Sequence, residues 1–379
     1  MKTLVWIMAA ACGISVANIY YNQPLLAQMG VTFARSASYL PMFTQLGAGM
    51  GMFLFVPLGD ILERRRLIVT VCLGTAVANV LVALAPSIAF LTVASVLVGL
   101  TSIVPHLILP FAAQVAASEE RGSVVGTVLG GLLIGILLAR TASGFVGAQF
   151  GWRAVYWMAA ALMLSLALVL AEQLPHSRPA ITLRYPDLLR SILVLVREQP
   201  LLREAALIGG MLFAAFSVFW ATLIFRLANP PFHYGARLAG AFGLVGAAGA
   251  LMAPAAGRIT DRKSPRFTVG MGICVTVSSY VCFWLLGGSL AGLIAGVVLL
   301  DIGVQSGHVA NQTRIYSLIP EARGRLNTVY MVTYFAGGAL GSALGAYGWS
   351  IAHWNGVCIA GMAMALAALG VHILSTSAT

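Results

Sequence analysis

Apolar residues run along this chain in blocks of about 20 to 30, each closed by a short break rich in charged residues, glycine or proline. A helix needs about 20 apolar residues to cross a bilayer. The blocks therefore predict twelve membrane helices, over roughly 3–28, 39–62, 66–85, 88–117, 122–149, 152–174, 203–228, 236–260, 265–287, 289–318, 323–350 and 354–376. The longest polar stretch, about 175–202, opens with Pro175-His176-Ser177-Arg178-Pro179 and carries an amphipathic piece around Pro186–Gln199. The expectation is an all-α membrane protein with a six-helix bundle over 1–174, a cytoplasmic linker with an amphipathic segment over 175–202, and a second six-helix bundle over 203–379.

Composition agrees, with 60% hydrophobic and 9% charged residues in 379, where a soluble domain carries about 25% charged. The net charge of +11 would suggest nucleic acid in a soluble protein. No basic run here is interleaved with aromatics, so that partner is rejected, and the charge follows the positive-inside rule instead. With both termini cytoplasmic, 17 of the 22 Lys and Arg fall on the cytoplasmic side. Arg35, Arg153, Arg226 and Arg237 fall on the other side, and Arg140 lies inside a membrane segment. This predicts a multi-pass protein of a bacterial inner membrane. Lys2 and the apolar run after it are read as the first membrane helix rather than a signal peptide, because the run continues into Asn18-Ile19-Tyr20-Tyr21-Asn22-Gln23-Pro24. The five cysteines show no ligand spacing and read as small hydrophobes.

An internal repeat appears at an offset of 201–202 residues. Gly59-Asp60-Ile61-Leu62-Glu63-Arg64-Arg65-Arg66 matches Thr260-Asp261-Arg262-Lys263-Ser264-Pro265-Arg266. Arg121-Gly122 matches Arg323-Gly324, Gly151-Trp152 matches His353-Trp354, and His106 matches His308. Parallel duplication of a six-helix unit is the plan of transporters that rock two bundles about a central site.

These residues resemble the major facilitator superfamily over the whole chain. The loop after the second helix is similar to the family element G-x-L-x-D-R-x-G-R-[KR], keeping Leu58, Asp60, Arg64 and Arg65 while Val56, Ile61 and Glu63 depart from it. The second copy keeps Gly257, Asp261, Arg262 and Arg266. The resemblance implies a cytoplasmic gate formed by Asp60, Arg64, Arg65, Asp261, Arg262 and Arg266. Residues 17–25, 135–144 and 325–331 look like the bacterial arabinose-efflux and drug-efflux permease branch. Two departures weigh against proton coupling by the family's usual route. Ser95 stands where proton-driven exporters commonly carry arginine, and the fifth helix lacks the Gly-Pro-x-x-Gly-Gly proline.

Asp301 is the acidic residue expected deep in the membrane, roughly 20 Å from the outer end of its helix. A charge at that depth is costly and normally marks a functional pathway. The alternative is a protonated structural carboxyl. Asp301, Gln305, His308 and Gln312 share one helical face, as do Ser95, Gly99, Ser102 and His106. Lipid would penalise such stripes. The first helix offers Ser15, Asn18 and Asn22, beside Tyr21; the seventh offers Phe213, Ser217 and Trp220; the eleventh offers Tyr330 and Tyr334. In the resembling family helices one, four, seven and ten line the cavity. Each histidine could instead be satisfied inside its bundle, and the tyrosines could be packing residues.

Arg140 shares a face with Gly126, Gly130 and Gly144, which predicts close helix contact there. It is expected near the depth of Asp301, and an ion pair between them in one conformation is one reading; pinning of the fifth helix is the other. Gly47 and Gly51 are read as surfaces on which the halves slide. No nucleophile elbow, metal motif or phosphate loop is present, so neither an enzyme, a cofactor nor ATP is expected. The leading reading is secondary active transport of a small organic solute by alternating access, most simply proton-coupled efflux by a monomer. Asp301, His106, His308 and Arg140 would couple protons. Asn18, Tyr21, Asn22, Ser102, His106, Arg140, Phe213, Ser217, Trp220, Asp301, Gln305, His308, Tyr330 and Tyr334 would bind substrate. The rivals are uptake or exchange of an anionic or zwitterionic nutrient at Arg140, and a non-transporting receptor.

Overall fold

A computed structural model describes residues 2–117, 120–176, 184–246, 263–319 and 322–375, and among them the only regular secondary structure is helical. Nine helices among these residues are long and apolar enough to cross a membrane. The chain divides into two compact units, Met1–Ser191 and Ile192–Thr379.

The first unit contains α1 (Lys2–Ala17), α2 (Leu26–Phe33), α3 (Leu40–Phe55), α4 (Leu58–Ile61), α5 (Arg64–Ala83), α6 (Ile88–Thr101), α7 (Val104–Val115), α8 (Arg121–Phe150) and α9 (Trp152–Gln173). Two spans expected to be continuous are broken, and a third is interrupted at Val56 and Pro57, which keep helical backbone angles. Between α1 and α2 the backbone tightens to i−3 bonds, from Asn18 N to Ser15 O (3.3 Å), Ile19 N to Val16 O (3.1 Å) and Tyr20 N to Ala17 O (3.0 Å). The cause is local. Asn18 Nδ2 donates to Ile14 O (2.9 Å) and Ser15 O (3.0 Å), the carbonyls a continuing helix would use. Pro24 then removes a backbone donor in the short 3₁₀ turn Gln23–Leu25. The second break, at Ser102 and Ile103, precedes Pro105 at the start of α7.

Helix α10 (Tyr185–Glu198) begins in the first unit and ends in the second. Tyr185 donates its hydroxyl to Leu54 O at 2.7 Å, and partial burial pushes the phenol pKa up, keeping it a donor. Leu188, Ile192 and Leu195 form the buried face while Arg190 and Arg197 are exposed, as the amphipathic pattern requires.

The second unit contains α11 (Pro200–Ala228), α12 (Ala236–Gly246), α13 (Pro265–Leu286), α14 (Leu290–Tyr316) and α15 (Arg323–Leu374). Helix α15 is two spans joined at a kink, where Ala352 and His353 leave helical geometry. The expected eighth span beyond Gly246 lies outside the described residues.

The sequence repeat reappears as repeated contacts inside each unit. Arg65 donates to Ala171 O, and to Leu174 O at 3.3 Å, tying α5 to the last turn of α9. Arg266, 201 residues later, donates to His372 O (3.1 Å) and Ser375 Oγ (3.3 Å), tying α13 to the last turn of α15. Both arginines neutralise the orphan carbonyls of a helix C-terminus. At the opposite ends, Arg153 donates to Ala85 O (3.1 Å) and stacks on Trp152. Arg226 donates to Gly287 O (3.0 Å) over Trp354. The carbonyl and the tryptophan repeat, whereas the arginine comes from a different helix.

Glycines set the closest helix approaches. A Cβ on Gly135 of α8 would meet Gly13 Cα of α1 at 2.3 Å, and one on Gly337 of α15 would meet Gly210 O of α11 at 2.0 Å. Gly126 and Gly130 have nothing within 4 Å. At the level of Gly126 and Gly130 the close face of the fifth span is therefore that of Gly131 and Gly135, while the face of Arg140 closes further along, where a Cβ on Gly147 would meet Leu25 Cδ2. Gly47 and Gly51 pack closely inside the first unit, against Val96 O and Leu100 O of α6.

Candidate functional site

In the first unit the predicted polar residues gather around the break after α1. Asn18, Tyr21 and Asn22 are all buried there. Asn18 Oδ1 accepts from Asn79 Nδ2 of α5 at 2.8 Å, and Asn22 Nδ2 donates to Thr44 Oγ1 of α3 at 3.0 Å. Thr75 Oγ1 donates to Thr101 O at 3.0 Å and links α5 to the second break. Ser102 lies in that break, its hydroxyl donating to Val98 O at 2.6 Å. His106, half-buried, follows in the first turn of α7. Ser95 donates to its own helix at Leu91 O (2.8 Å), and Gly99 packs against Thr44 O, so the upper part of that stripe serves packing.

Arg140 is 2% exposed. Its Nε donates to Gln23 Oε1 at 2.6 Å, and its guanidinium carbon lies 4.7 Å from the centre of the Tyr20 ring. A short hydrogen bond to an amide and a cation–π contact help to orient this buried guanidinium. This unit can thus offer neutral donors and acceptors plus one cation.

The second unit is different in chemistry. Asp301 is 5% exposed on α14. A Cβ built on Gly246 of α12 would lie 3.3 Å from Asp301 Oδ1 and 3.4 Å from Trp220 Cζ2, so carboxylate and indole converge on one point. Trp220 begins an aromatic series. It is tilted on Phe216 (5.9 Å between centroids), Phe216 stacks on Phe213 (5.6 Å), and Phe213 stacks on Tyr334 (4.0 Å). Ser217 is buried on the same helix, and Gln305 is half-buried one turn from Asp301. His308 Nδ1 lies 3.0 Å from Tyr330 Oη, and its ring centroid lies 4.8 Å from that of Tyr334. A buried carboxyl, an imidazole and stacked rings suit proton binding or a positively charged or flat apolar group.

Among the residues expected to form a cytoplasmic gate, Arg64 pairs with Asp60 at 3.3 Å and donates Nε to Gly59 O at 2.9 Å. Arg65 and Arg266 hold the helix ends described above. Asp261 and Arg262 lie outside the described residues.

Several residues of these networks escape the sequence pattern. Gln23, Thr44, Thr75 and Asn79 join through side-chain hydrogen bonds between helices. Glu204 and Arg314 form a 2.8 Å ion pair with 14% and 7% of their side chains exposed. Asp301 is therefore not the sole carboxylate withdrawn from solvent. Glu204 lies in the first turns of α11 and reads from sequence as an end-of-helix charge; no periodicity links it to a residue 110 positions away.

Two helical units of membrane-length apolar helices, with ionisable and amide side chains buried among them, define an integral membrane protein. The Major Facilitator Superfamily profile matches residues 4–342 and again 249–378. The uncharacterized transporter YgaY of Escherichia coli O157:H7 is 42% identical over 366 residues, 96% of this chain and 93% of that protein. SCO4007 of Streptomyces coelicolor, also named as a transporter, is 35% identical over 361 residues, 93% and 83% of the two chains. Among solved structures, a bacterial homolog of the human lysosomal transporter Spinster has a TM-score of 0.77 at 15% identity, over 99% of this chain and 97% of that one. The human organic anion transporter MFSD10 has a TM-score of 0.72 at 18% identity, over 98% and 99%. The chain belongs to the major facilitator superfamily.

Proposed function

We propose that this transporter exports a small organic solute against entering protons, as a monomer of twelve membrane helices working by alternating access in a bacterial inner membrane, termini cytoplasmic. The observation that carries the reading is Asp301. A carboxylate held mid-helix beside Trp220, 5% exposed, is far costlier charged than protonated unless a partner compensates it. That makes it a group whose proton and whose cationic or polar partner compete. His308 and His106 lie on the corresponding helices of the two repeats and would assist, and Arg140 would take part in coupling as the buried cation of the first unit.

Proton-driven accumulation in everted vesicles tests this with ethidium as cation, arabinose as neutral solute and benzoate as anion, wild type beside Asp301→Asn. Accumulation of a solute by the wild type, lost in Asp301→Asn while counterflow of that solute persists, supports proton exchange at Asp301. Undiminished proton-driven accumulation by Asp301→Asn would remove it from the carrier role.

A second reading, uptake or exchange of an anionic or zwitterionic solute, is favoured by Arg140, a buried cation that donates to Gln23 and lies over the Tyr20 ring. Benzoate counterflow without proton movement, lost in Arg140→Gln, would select it.

A further inference from the structure

Five side chains of the second unit form a continuous polar chain along α14. At one end is the largely buried Glu204–Arg314 pair, which joins α11 to α14 at 2.8 Å. Arg314 Nη1 also donates to Asn311 Oδ1 at 3.3 Å. That contact fixes the orientation of the Asn311 carboxamide. Asn311 is fully buried, its Nδ2 has no hydrogen bond of ordinary geometry, and its amide approaches the Tyr330 hydroxyl. Tyr330, also fully buried, shares that hydroxyl with His308 Nδ1 at 3.0 Å. An orphaned buried amide nitrogen beside a shared hydroxyl calls for an explanation.

The donor inventory supplies one. A phenol has one proton and two lone pairs. When His308 Nδ1 is an acceptor, Tyr330 donates to it and keeps lone pairs open toward Asn311 Nδ2. When Nδ1 carries a hydrogen, Tyr330 accepts there and must place its own proton elsewhere. Asn311, which faces the hydroxyl, can take it only through Oδ1, and for that the carboxamide must turn over. Turning it takes Oδ1 away from Arg314 and presents Nδ2 to a guanidinium, which is repulsive.

We propose that Tyr330 and Asn311 are positioning residues of the transport cycle: they convert a change of hydrogen-bonding state at His308 into loosening of the Glu204–Arg314 tie between α11 and α14. The titratable and charged groups that face this set are Tyr330, Tyr334 and His372 of α15, Glu204 of α11 and, through His372, Arg266 of α13, with Asp301, Arg314 and Tyr316 on α14 itself. The chain is not a relic of the duplication. His106 repeats His308, but 202 residues before Asn311, Arg314 and Tyr330 stand Leu109, Ala112 and Val128. The proposal rests on the transporter reading, and on neither its direction nor its driving ion.

The test needs no substrate and no gradient. A single cysteine replaces Gln312, one residue beyond Asn311, in a background with the five native cysteines changed to serine. Its alkylation by N-ethylmaleimide is timed in membranes. Tyr330→Phe keeps the ring and removes only the hydroxyl, and Glu204→Gln breaks the tie directly. Each is expected to change the labelling rate about threefold in the same direction, with the double variant no further displaced than the larger single, because residues on one chain are not additive. Loss of a buried hydroxyl should lower the thermal midpoint of Tyr330→Phe by a few degrees, so labelling is timed well below the midpoint of every variant, where a general loosening of packing does not contribute. A wild-type labelling rate in Tyr330→Phe, or effects that multiply to about ninefold in the double variant, would overturn the proposal. Asn311→Ala carries the same test should Tyr330→Phe fail to fold. Failure here would leave proton-driven accumulation untouched, and failure of that assay would leave this coupling standing.

Discussion

Asn79 of α5 gives its amide hydrogen to the side-chain oxygen of Asn18 at 2.8 Å and so holds the interrupted turn after α1 from a neighbouring helix. Both side chains are buried, where an unpaired polar group costs about 1–3 kcal/mol. Asn79→Leu should therefore lower the thermal midpoint of the purified protein by several degrees. Asn18→Leu/Asn79→Leu should recover part of that loss, because removing both partners leaves no orphan in this pair. Transport need not return with stability, since Asn18 is also a proposed substrate residue. Tryptophan fluorescence melts of the three proteins check the order; a double variant less stable than Asn79→Leu would show that the pair is not the element holding the break.

The repeated arginine ties make a paired prediction. Arg65→Lys and Arg266→Lys keep the charge but lose the planar fork that reaches two acceptors at once. Hydrogen exchange should accelerate in the last turn of α9 for Arg65→Lys and in the last turn of α15 for Arg266→Lys. Neither variant should affect the other's helix end. Exchange rates unchanged in both would mean that the contacts contribute no local stability.

Much of this architecture is legible in the sequence, and the limits have physical causes. Hydropathy marks where helices run, because lipid imposes one length and one polarity on every span. The repeat is readable because Asp60, Trp152 and His106 each have a counterpart in the second half. Breaks are harder to see. Asn18 and Pro24 signal one, yet the block around them stays apolar enough to pass for a continuous span. Periodicity also leaves a choice of faces. Gly126 and Gly130 form a small-residue stripe as regular as that of Gly131 and Gly135, and one residue of offset turns it by about 100°. Glu204 and Arg314 meet only because α11 packs on α14, which no local pattern encodes.

That choice of face can be tested directly. Gly135→Ala would place a methyl group 2.3 Å from backbone atoms of Gly13, so α1 and α8 must separate. The expected cost is of the size of an overpacked core, about 1–3 kcal/mol. Gly126→Ala meets nothing within 4 Å and replaces the poorer helix former, so it should be neutral or stabilising by up to about 1 kcal/mol. Expression level and thermal midpoint of the two variants provide the comparison. Equal behaviour would remove the close α1–α8 contact from the fold.

The two units turn from their fifth to their sixth span with different residues at the same repeat position. Gly151 does so with φ 83°, and His353 with φ 47°. Only glycine adopts positive φ without steric cost, and His353 has ψ −129° as well, outside the small left-handed region open to other residues. Strain of this kind costs on the order of 1–3 kcal/mol. What opposes it is the His353 ring, which meets Trp349 edge-on at 5.5 Å, an interaction of about 0.5–1.5 kcal/mol at most. His353→Gly should therefore raise stability by about 1 kcal/mol, because relief of the strain outweighs the missing ring–ring packing. His353→Ala removes the ring and keeps most of the strain, so it should fall below wild type. The reverse change, Gly151→Ala, has open space around it, so its cost is conformational and should be about 1–3 kcal/mol. Thermal midpoints in the order His353→Gly, wild type, His353→Ala, with Gly151→Ala also below wild type, would establish that backbone geometry governs both junctions. A His353→Gly protein less stable than wild type would show instead that packing on Trp349 outweighs the strain.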